Sequence, residues 1–350
     1  MRNRTRILSL LKEISGRFEL DLANYSVLTE AASGYFALTP LLAALGGAKE
    51  VLALTRDSKY GKAKDIAKYT LSLARQLGIQ DRIHILHDRS DSRIATANIV
   101  TNLGFVRPIH AGMIEKLAPT VVIPLMWETW EFRPEDLDLE LCRSKGIPVL
   151  GTNEHHPELN IFKYLGHVAA KLMYEAELEV FKTTVVIVGS GEFATEANIA
   201  LNNMGATSTV IAPTDLNTEK GKSLIQRADA LLVLEHHDRR ILIGESGLIS
   251  PFQLVDLNPS ITILHICGGA SQQDIEASGL SFWPKSMAPS GYMSVSTTYV
   301  GPKPLIELHA AGLKVGQAMA DAVSCGLRGL EAEKKALLDC NFAQGFHGRH

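Results

Sequence analysis

Thr184-Val185-Val186-Ile187-Val188-Gly189-Ser190-Gly191-Glu192-Phe193-Ala194 is the stretch that decides how this chain is read. Its first five residues form a continuous apolar strand of the kind buried in parallel sheets. The next six fit the pattern G-x-G-x-x-G/A. After such a strand each small residue has a mechanical task. Gly189 makes the tight turn, Gly191 lets the backbone approach a pyrophosphate, and Ala194 lets the following helix pack closely on the sheet. The N-terminus of that helix supplies free N–H groups and a partial positive charge for phosphates. The helical pattern runs to Met204, Gly205 closes it, and Thr209-Val210-Ile211 supplies the next strand. The expected ligand is NAD or NADP, cradled by Gly189, Ser190, Gly191, Glu192, Phe193 and Ala194. Glu192 is expected to point outward or to cap its own helix. The second strand leads into Ala212-Pro213-Thr214-Asp215, with no acid at its tip for a ribose hydroxyl. Thr214, Lys220 or Lys222 could meet a 2′-phosphate there, so the choice between the two cofactors stays open.

The same alternation extends in both directions. Residues 25–28, 51–55, 83–86, 99–101, 121–125 and 148–150 read as strands upstream, and 230–234, 261–264 and 280–283 downstream. Helices are expected over the first eighteen residues, up to Leu45, and over 62–77. A long helix is expected over 160–181, where Ile161, Leu165, Val168 and Leu172 repeat at helical spacing. The last follows Pro304, with Leu305, Leu308, Gly312, Val315 and Met319 on one stripe. The fold class this implies is α/β, with two domains, each a parallel sheet with helices on both faces. The tail from Glu331 gives no clear reading.

Composition narrows the function. The chain has 350 residues and balances 35 Lys+Arg against 38 Asp+Glu, a net charge of −3, which gives no electrostatic case for nucleic acid or a polybasic membrane contact. No apolar run approaches the roughly 20 residues that span a bilayer. Four cysteines, Cys142, Cys267, Cys325 and Cys340, form no C-x-x-C pair, so neither a zinc site nor a disulfide framework is indicated. A cytoplasmic protein with reduced thiols is expected, with no metal.

Ligands of an open parallel sheet sit beyond the carboxyl ends of its strands, so polar residues there are the site candidates. His155 and His156 are candidates for acid/base work, because imidazole titrates near neutrality. Glu128 or Glu131 would be the electrostatic partner, with Trp127 and Trp130 as a flanking wall. Arg107 is the candidate anion holder, because a guanidinium grips a carboxylate bidentately. His265 and Cys267 complete the set, in a turn that follows the strand over 261–264.

Over residues 95 to 325 the layout resembles the D-isomer-specific 2-hydroxyacid dehydrogenase family, within the wider formate/glycerate dehydrogenase-like group. The likeness runs through Ala118-Pro119-Thr120-Val121-Val122-Ile123, the stretch Asp138 to Val149, Thr152-Asn153, the Gly189 fingerprint, Ala228-Asp229-Ala230 and the closing helix after Pro304. It implies a flavodoxin-like substrate domain over 1–158 plus 305–350, interrupted by a connector helix and Rossmann dinucleotide-binding domain over 159–304. It also implies a small-molecule substrate and a homodimer. The chain departs from the family where an Arg-Gly is expected to hold the substrate carboxylate. It reads Ile266-Cys267-Gly268 there, and the family's later Glu and Pro-His have no counterpart. The expected function is therefore an NAD(P)-dependent oxidoreductase of atypical active site acting on a small polar metabolite. The alternatives are a non-catalytic or repurposed nucleotide- or metabolite-binding member, or a non-redox transferase or lyase.

Overall fold

Apolar strands alternating with amphipathic helices build two units in the computed structural model, which describes residues 3–346. Met1 and Arg2 of the basic opening lie outside the described residues. One unit comprises Met1–Leu159 and Pro302–His350, the other Asn160–Gly301.

The first unit opens with α1 (Arg4–Arg17), capped by the Asn3 side chain, which accepts the Arg6 N–H at 3.1 Å. Strands β1 (Ser26–Glu30), β2 (Glu50–Leu54), β3 (Ile83–Leu86), β4 (Ile99–Val100), β5 (Ile123–Pro124) and β6 (Val149–Thr152) follow. Between them run α2 (Thr39–Leu45), α3 (Ala63–Leu77), α4 (Ala111–Ile114) and α5 (Leu139–Ser144). The strand order is β3-β2-β1-β4, continued by a parallel bridge from Ile99 to Val122 and by the β5–β6 pair. The flavodoxin-like expectation thus holds as an open parallel sheet, but the order is 3-2-1-4-5-6 rather than 2-1-3-4-5. Leu28, Leu52, Val100, Ile123 and Val149 form one core face with Met113, Ile114 and Cys142. Each such buried aliphatic side chain contributes about 1.5–3 kcal/mol.

The second unit carries α6 (Tyr164–Glu175), β7 (Thr184–Val188), α7 (Gly191–Asn203), β8 (Thr207–Ile211), α8 (Glu219–Ile225) and β9 (Ala230–Leu234). It continues with β10 (Ile241–Ile243), α9 (Pro251–Leu257), β11 (Thr262–Cys267), β12 (Gly269–Ala270), α10 (Gln272–Ser278) and β13 (Ser281–Trp283). Its main sheet is β13-β11-β9-β7-β8, all parallel. Val185, Ile187, Leu232 and Leu264 pack against α6 and α7. Val186, Val188, Leu231 and Ile263 pack against Ile225, Leu254 and Ile275 from α8, α9 and α10.

Two expectations need correction. The long helix is shorter than its periodicity: α6 ends at Glu175, and Glu177 takes a left-handed φ of 61°. The buried Val180 beyond it belongs to the turn into β7, where it extends an apolar pattern the helix has already left. The strand read as 261–264 runs on to Cys267, so His265 and Cys267 lie within β11 and not in a turn after it.

The chain then re-enters the first unit through α11 (Lys303–Ser324), α12 (Gly329–Asp339) and β14 (Ala343–Gln344), which pairs antiparallel with β6. The tail that sequence left unassigned is therefore helix and edge strand. Helix α11 lies hard against the sheet through two glycines. A Cβ at Gly312 would stand 2.7 Å from Met126 Sδ, and one at Gly316 would stand 2.8 Å from Ile99 Cγ2 and 3.0 Å from Pro124 Cγ.

Candidate functional site

In the second unit the order of strands reverses between β7 and β9, since β8 follows β7 to one side and β9 lies on the other. The crevice beyond their carboxyl ends is where ligands of such sheets bind. On one side stands the Gly189–Ala194 turn. A Cβ at Gly189 would sit 2.1 Å from the Leu234 carbonyl oxygen and 3.1 Å from Ala194 Cβ. Gly191 has φ +65° and is exposed. Ser190 occupies the N-cap of α7 without a side-chain capping bond, so its hydroxyl leaves the first-turn N–H groups open. Glu192 is half-buried in that first turn, where negative charge is favoured.

On the other side, Glu235-His236-His237 leaves β9. The turn brings both imidazoles to Gly191, whose Cβ would meet His237 Nε2 at 3.3 Å and His236 Cε1 at 3.5 Å. His236 stacks on Phe193 with ring centroids 3.9 Å apart. Burial, with the neighbouring His237, pushes His236 down to about 4, so it is neutral at neutral pH. Glu235 Oε1 accepts the N–H groups of His237 at 2.6 Å and Asp238 at 2.9 Å. Burial raises the Glu235 carboxyl, but the Ser190 hydroxyl and these N–H groups outweigh it and hold the group below its ordinary value. That these residues after β9 face the turn after β7 follows from sheet order alone, since β7 and β9 are neighbours. Thr214 is exposed beyond β8, and Asp215 is half-buried.

His265 and Cys267 take structural places in this unit. His265 is fully buried, with Nδ1 2.6 Å from Ser294 Oγ and Nε2 3.0 Å from the Gly268 oxygen. Burial, with the nearby Glu235 charge, pushes the Cys267 thiol up to about 12, which leaves no thiolate to act as nucleophile.

In the first unit three carboxylates gather after β5 and β6. Glu128, 2% exposed, accepts the Trp130 Nε1–H at 2.7 Å on Oε2 and the Glu154 N–H at 3.1 Å on Oε1. His155 Nε2 stands 3.6 Å from the same Oε1. Burial and the Glu128 charge push Glu131 up to about 7. Burial, then Glu131 and Glu128, push Glu154 well above its ordinary value. This cluster can hold and release a proton near neutrality. His156 instead lies against Phe342, ring centroids 4.3 Å apart, with Nδ1 accepting the Glu158 N–H at 3.3 Å. Arg107 is already engaged: Nη1 meets Asp136 Oδ2 at 2.5 Å, and its guanidinium lies 4.9 Å from the Trp127 ring centroid. Among the described residues no group of three or more His, Cys, Asp or Glu could hold a metal ion, and no helix is long and apolar enough to cross a membrane.

The carboxyl cluster sets a pH dependence. A carboxyl whose folded pKa lies above its unfolded value binds its proton more tightly when folded. Its stabilising contribution is complete below the unfolded value near 4.5 and is lost as pH rises through the folded value, about 7 for Glu131 and likewise raised for Glu154. Glu154→Gln imitates the protonated form at every pH. Thermal unfolding should show the variant more stable than wild type at pH 8, with the gap closing at pH 5. An equal gap at both values would show that Glu154 is not held protonated.

No family model and no curated protein sequence matches the chain. Solved structures do. A dipicolinate synthase polypeptide from Bacillus halodurans is 9% identical, with 83% of this chain and 96% of that chain covered at a TM-score of 0.51. Its counterpart in the dipicolinate synthase of Bacillus subtilis is 9% identical, covering 87% and 97% at 0.50. NAD+-bound 3-phosphoglycerate dehydrogenase from Entamoeba histolytica is 13% identical, covering 79% and 95% at 0.42. At these identities the likeness speaks for architecture, and the chain has the α/β fold with parallel, helix-flanked sheets of Rossmann type that its sequence resemblance implied.

Proposed function

We propose that the chain is an NAD(P)-dependent oxidoreductase acting on a small polar metabolite. The observation that carries this reading is the turn at Gly189–Gly191. Two positions have no room for a side chain or require a left-handed φ, and they open a thirteen-residue helix at the reversal point of a parallel sheet. Gly189, Ser190 and Gly191 with the first turn of α7 would hold the pyrophosphate. The neutral His236 brings no cation to it, so backbone N–H groups supply the attraction. The bound nicotinamide would supply hydride transfer. Glu128 with His155 is the acid/base pair this reading favours, because the carboxylate Oε1 stands 3.6 Å from the imidazole Nε2 and can orient the ring. Calorimetric titration with NADH and NADPH tests the reading: saturable binding of at least one supports it, and binding of neither defeats it.

The substrate is expected to differ from that of the family resembled. Cys267 occupies the place of the carboxylate-holding arginine and is buried in β11. Absorbance at 340 nm should therefore not change with lactate, pyruvate or glycerate beyond the enzyme-free rate. Robust turnover of any of them would mean that another residue replaces the missing guanidinium. A non-catalytic binding member is the second reading. It is favoured by His265, whose two ring nitrogens are both engaged inside the core.

A further inference from the structure

Strand β9 ends in a turn whose shape is fixed from within. Glu235, 1% exposed, accepts on Oε1 the N–H groups of His237 at 2.6 Å and Asp238 at 2.9 Å, so the backbone folds back over its own carboxylate. The side chains stack as well. Phe162 lies against Phe193 with ring centroids 5.3 Å apart, Phe193 against His236 at 3.9 Å, and His236 against His237 at 3.8 Å. Four rings thus run outward, from buried Phe162 and Phe193 through half-buried His236 to exposed His237. A side chain held by its backbone and by a stacked neighbour has little freedom left to lose on meeting a ligand.

The column ends at Gly191. A Cβ there would stand 3.3 Å from His237 Nε2 and 3.6 Å from His237 Cδ2. Glycine leaves that volume vacant, so a group lying along the Gly191 backbone meets the Nε2 edge of His237 at hydrogen-bond range. His236 offers a carbon instead: its Cε1 stands 3.5 Å from the same point, and its ring lies on Phe193 at an interplanar angle of 19°. The neighbouring cation is engaged, since Arg240 holds Asp238 with Nη2 2.5 Å from Oδ2 and Nε 3.0 Å from Oδ1. The turn itself, Gly189-Ser190-Gly191-Glu192, carries no cation and one carboxylate. A side-chain donor for an anion seated there has to come from another strand, and β9 brings one.

We infer that His237 is a binding residue for the diphosphate of the ligand, its Nε2–H donating to a phosphate oxygen that lies on Gly191 beside the N–H groups of the first turn of α7. The inference rests on the dinucleotide reading of this turn and extends it from the backbone to a side chain. A hydrogen bond to a charged acceptor is roughly twice as strong as a neutral one, and the stacked ring delivers it already oriented.

Titration calorimetry on the full chain with NADH, NADPH and ADP, and with adenosine as the ligand that lacks a diphosphate, tests the contact. His237→Phe keeps the ring and its stacking but removes the donor. It should weaken binding of the diphosphate ligands by about tenfold or more, and adenosine should not distinguish it from wild type. His237→Gln returns an N–H near the place of Nε2 and should recover most of the loss. His237 is exposed, so neither variant disturbs the core. Undiminished affinity in His237→Phe overturns the inference and leaves the dinucleotide reading standing. Binding of ADP that depends on His237, without binding of NADH or NADPH, keeps the diphosphate contact and defeats the dinucleotide reading. Absence of binding by all three diphosphate ligands defeats both.

Discussion

Gly191→Asp should lower NADH and NADPH affinity by about a hundredfold or more, equivalent to about 3 kcal/mol, while leaving the fold intact. Two effects combine. The new Cβ would stand 3.3 Å from His237 Nε2 and 3.5 Å from His236 Cε1, tightening the space over the turn. The new carboxylate would then lie where the pyrophosphate's charge is to be received. Backbone strain stays modest, because aspartate and asparagine visit the left-handed region at low cost, and Gly191 is exposed at φ +65°. Gly191→Asn carries nearly the same shape without the charge and should lose far less affinity. Calorimetry on the three proteins separates the effects. Equal binding by all three would remove the dinucleotide from this turn.

Gly316→Val should destabilise the first unit by about 3 kcal/mol or more, through overpacking and the β-branched penalty in a helix. The Cβ alone would be 2.8 Å from Ile99 Cγ2 and 3.0 Å from Pro124 Cγ, one atom on β4 and one on β5. Neither is the end of a long flexible side chain, so α11 must move off the sheet. Gly112→Ala, in α4 with nothing within 4 Å of the added carbon, is the matched control and should be neutral or slightly stabilising. Urea unfolding followed by circular dichroism measures both. A Gly316→Val midpoint matching the control would show that α11 does not need the close approach.

The parts of the fold that sequence exposes are those where one physical cause dominates. Thr184–Val188 is strand from end to end because it is buried on both faces, and Gly189 follows because only glycine fits against the Leu234 carbonyl. Where two causes overlap, the reading slips. The apolar run past Glu175 continues with Leu178 and Val180, so periodicity hides a helix end that Glu177 makes by its left-handed conformation. His265 looks like the end of a strand because it is polar, yet both its ring nitrogens find partners inside the sheet. The placement of His236 and His237 beside Gly191 follows from β7 and β9 being neighbours, which no local spacing encodes. Arg107 could be picked out by residue type, but the carboxylate that claims it, Asp136, arrives from a distant loop.

The return of the chain at Pro302 has a consequence for how the protein comes off the ribosome. All strands of the second unit's main sheet lie between Thr184 and Trp283, so that sheet can close while the remaining residues are still being added. The first unit begins earlier but finishes later. Its β4–β5 surface lacks the helix that covers it until α11 has emerged, and its edge at β6 stays bare until Ala343–Gln344 arrive. The segment made first therefore waits longest with apolar surface uncovered, and that interval is where chaperone contact and misassembly would concentrate.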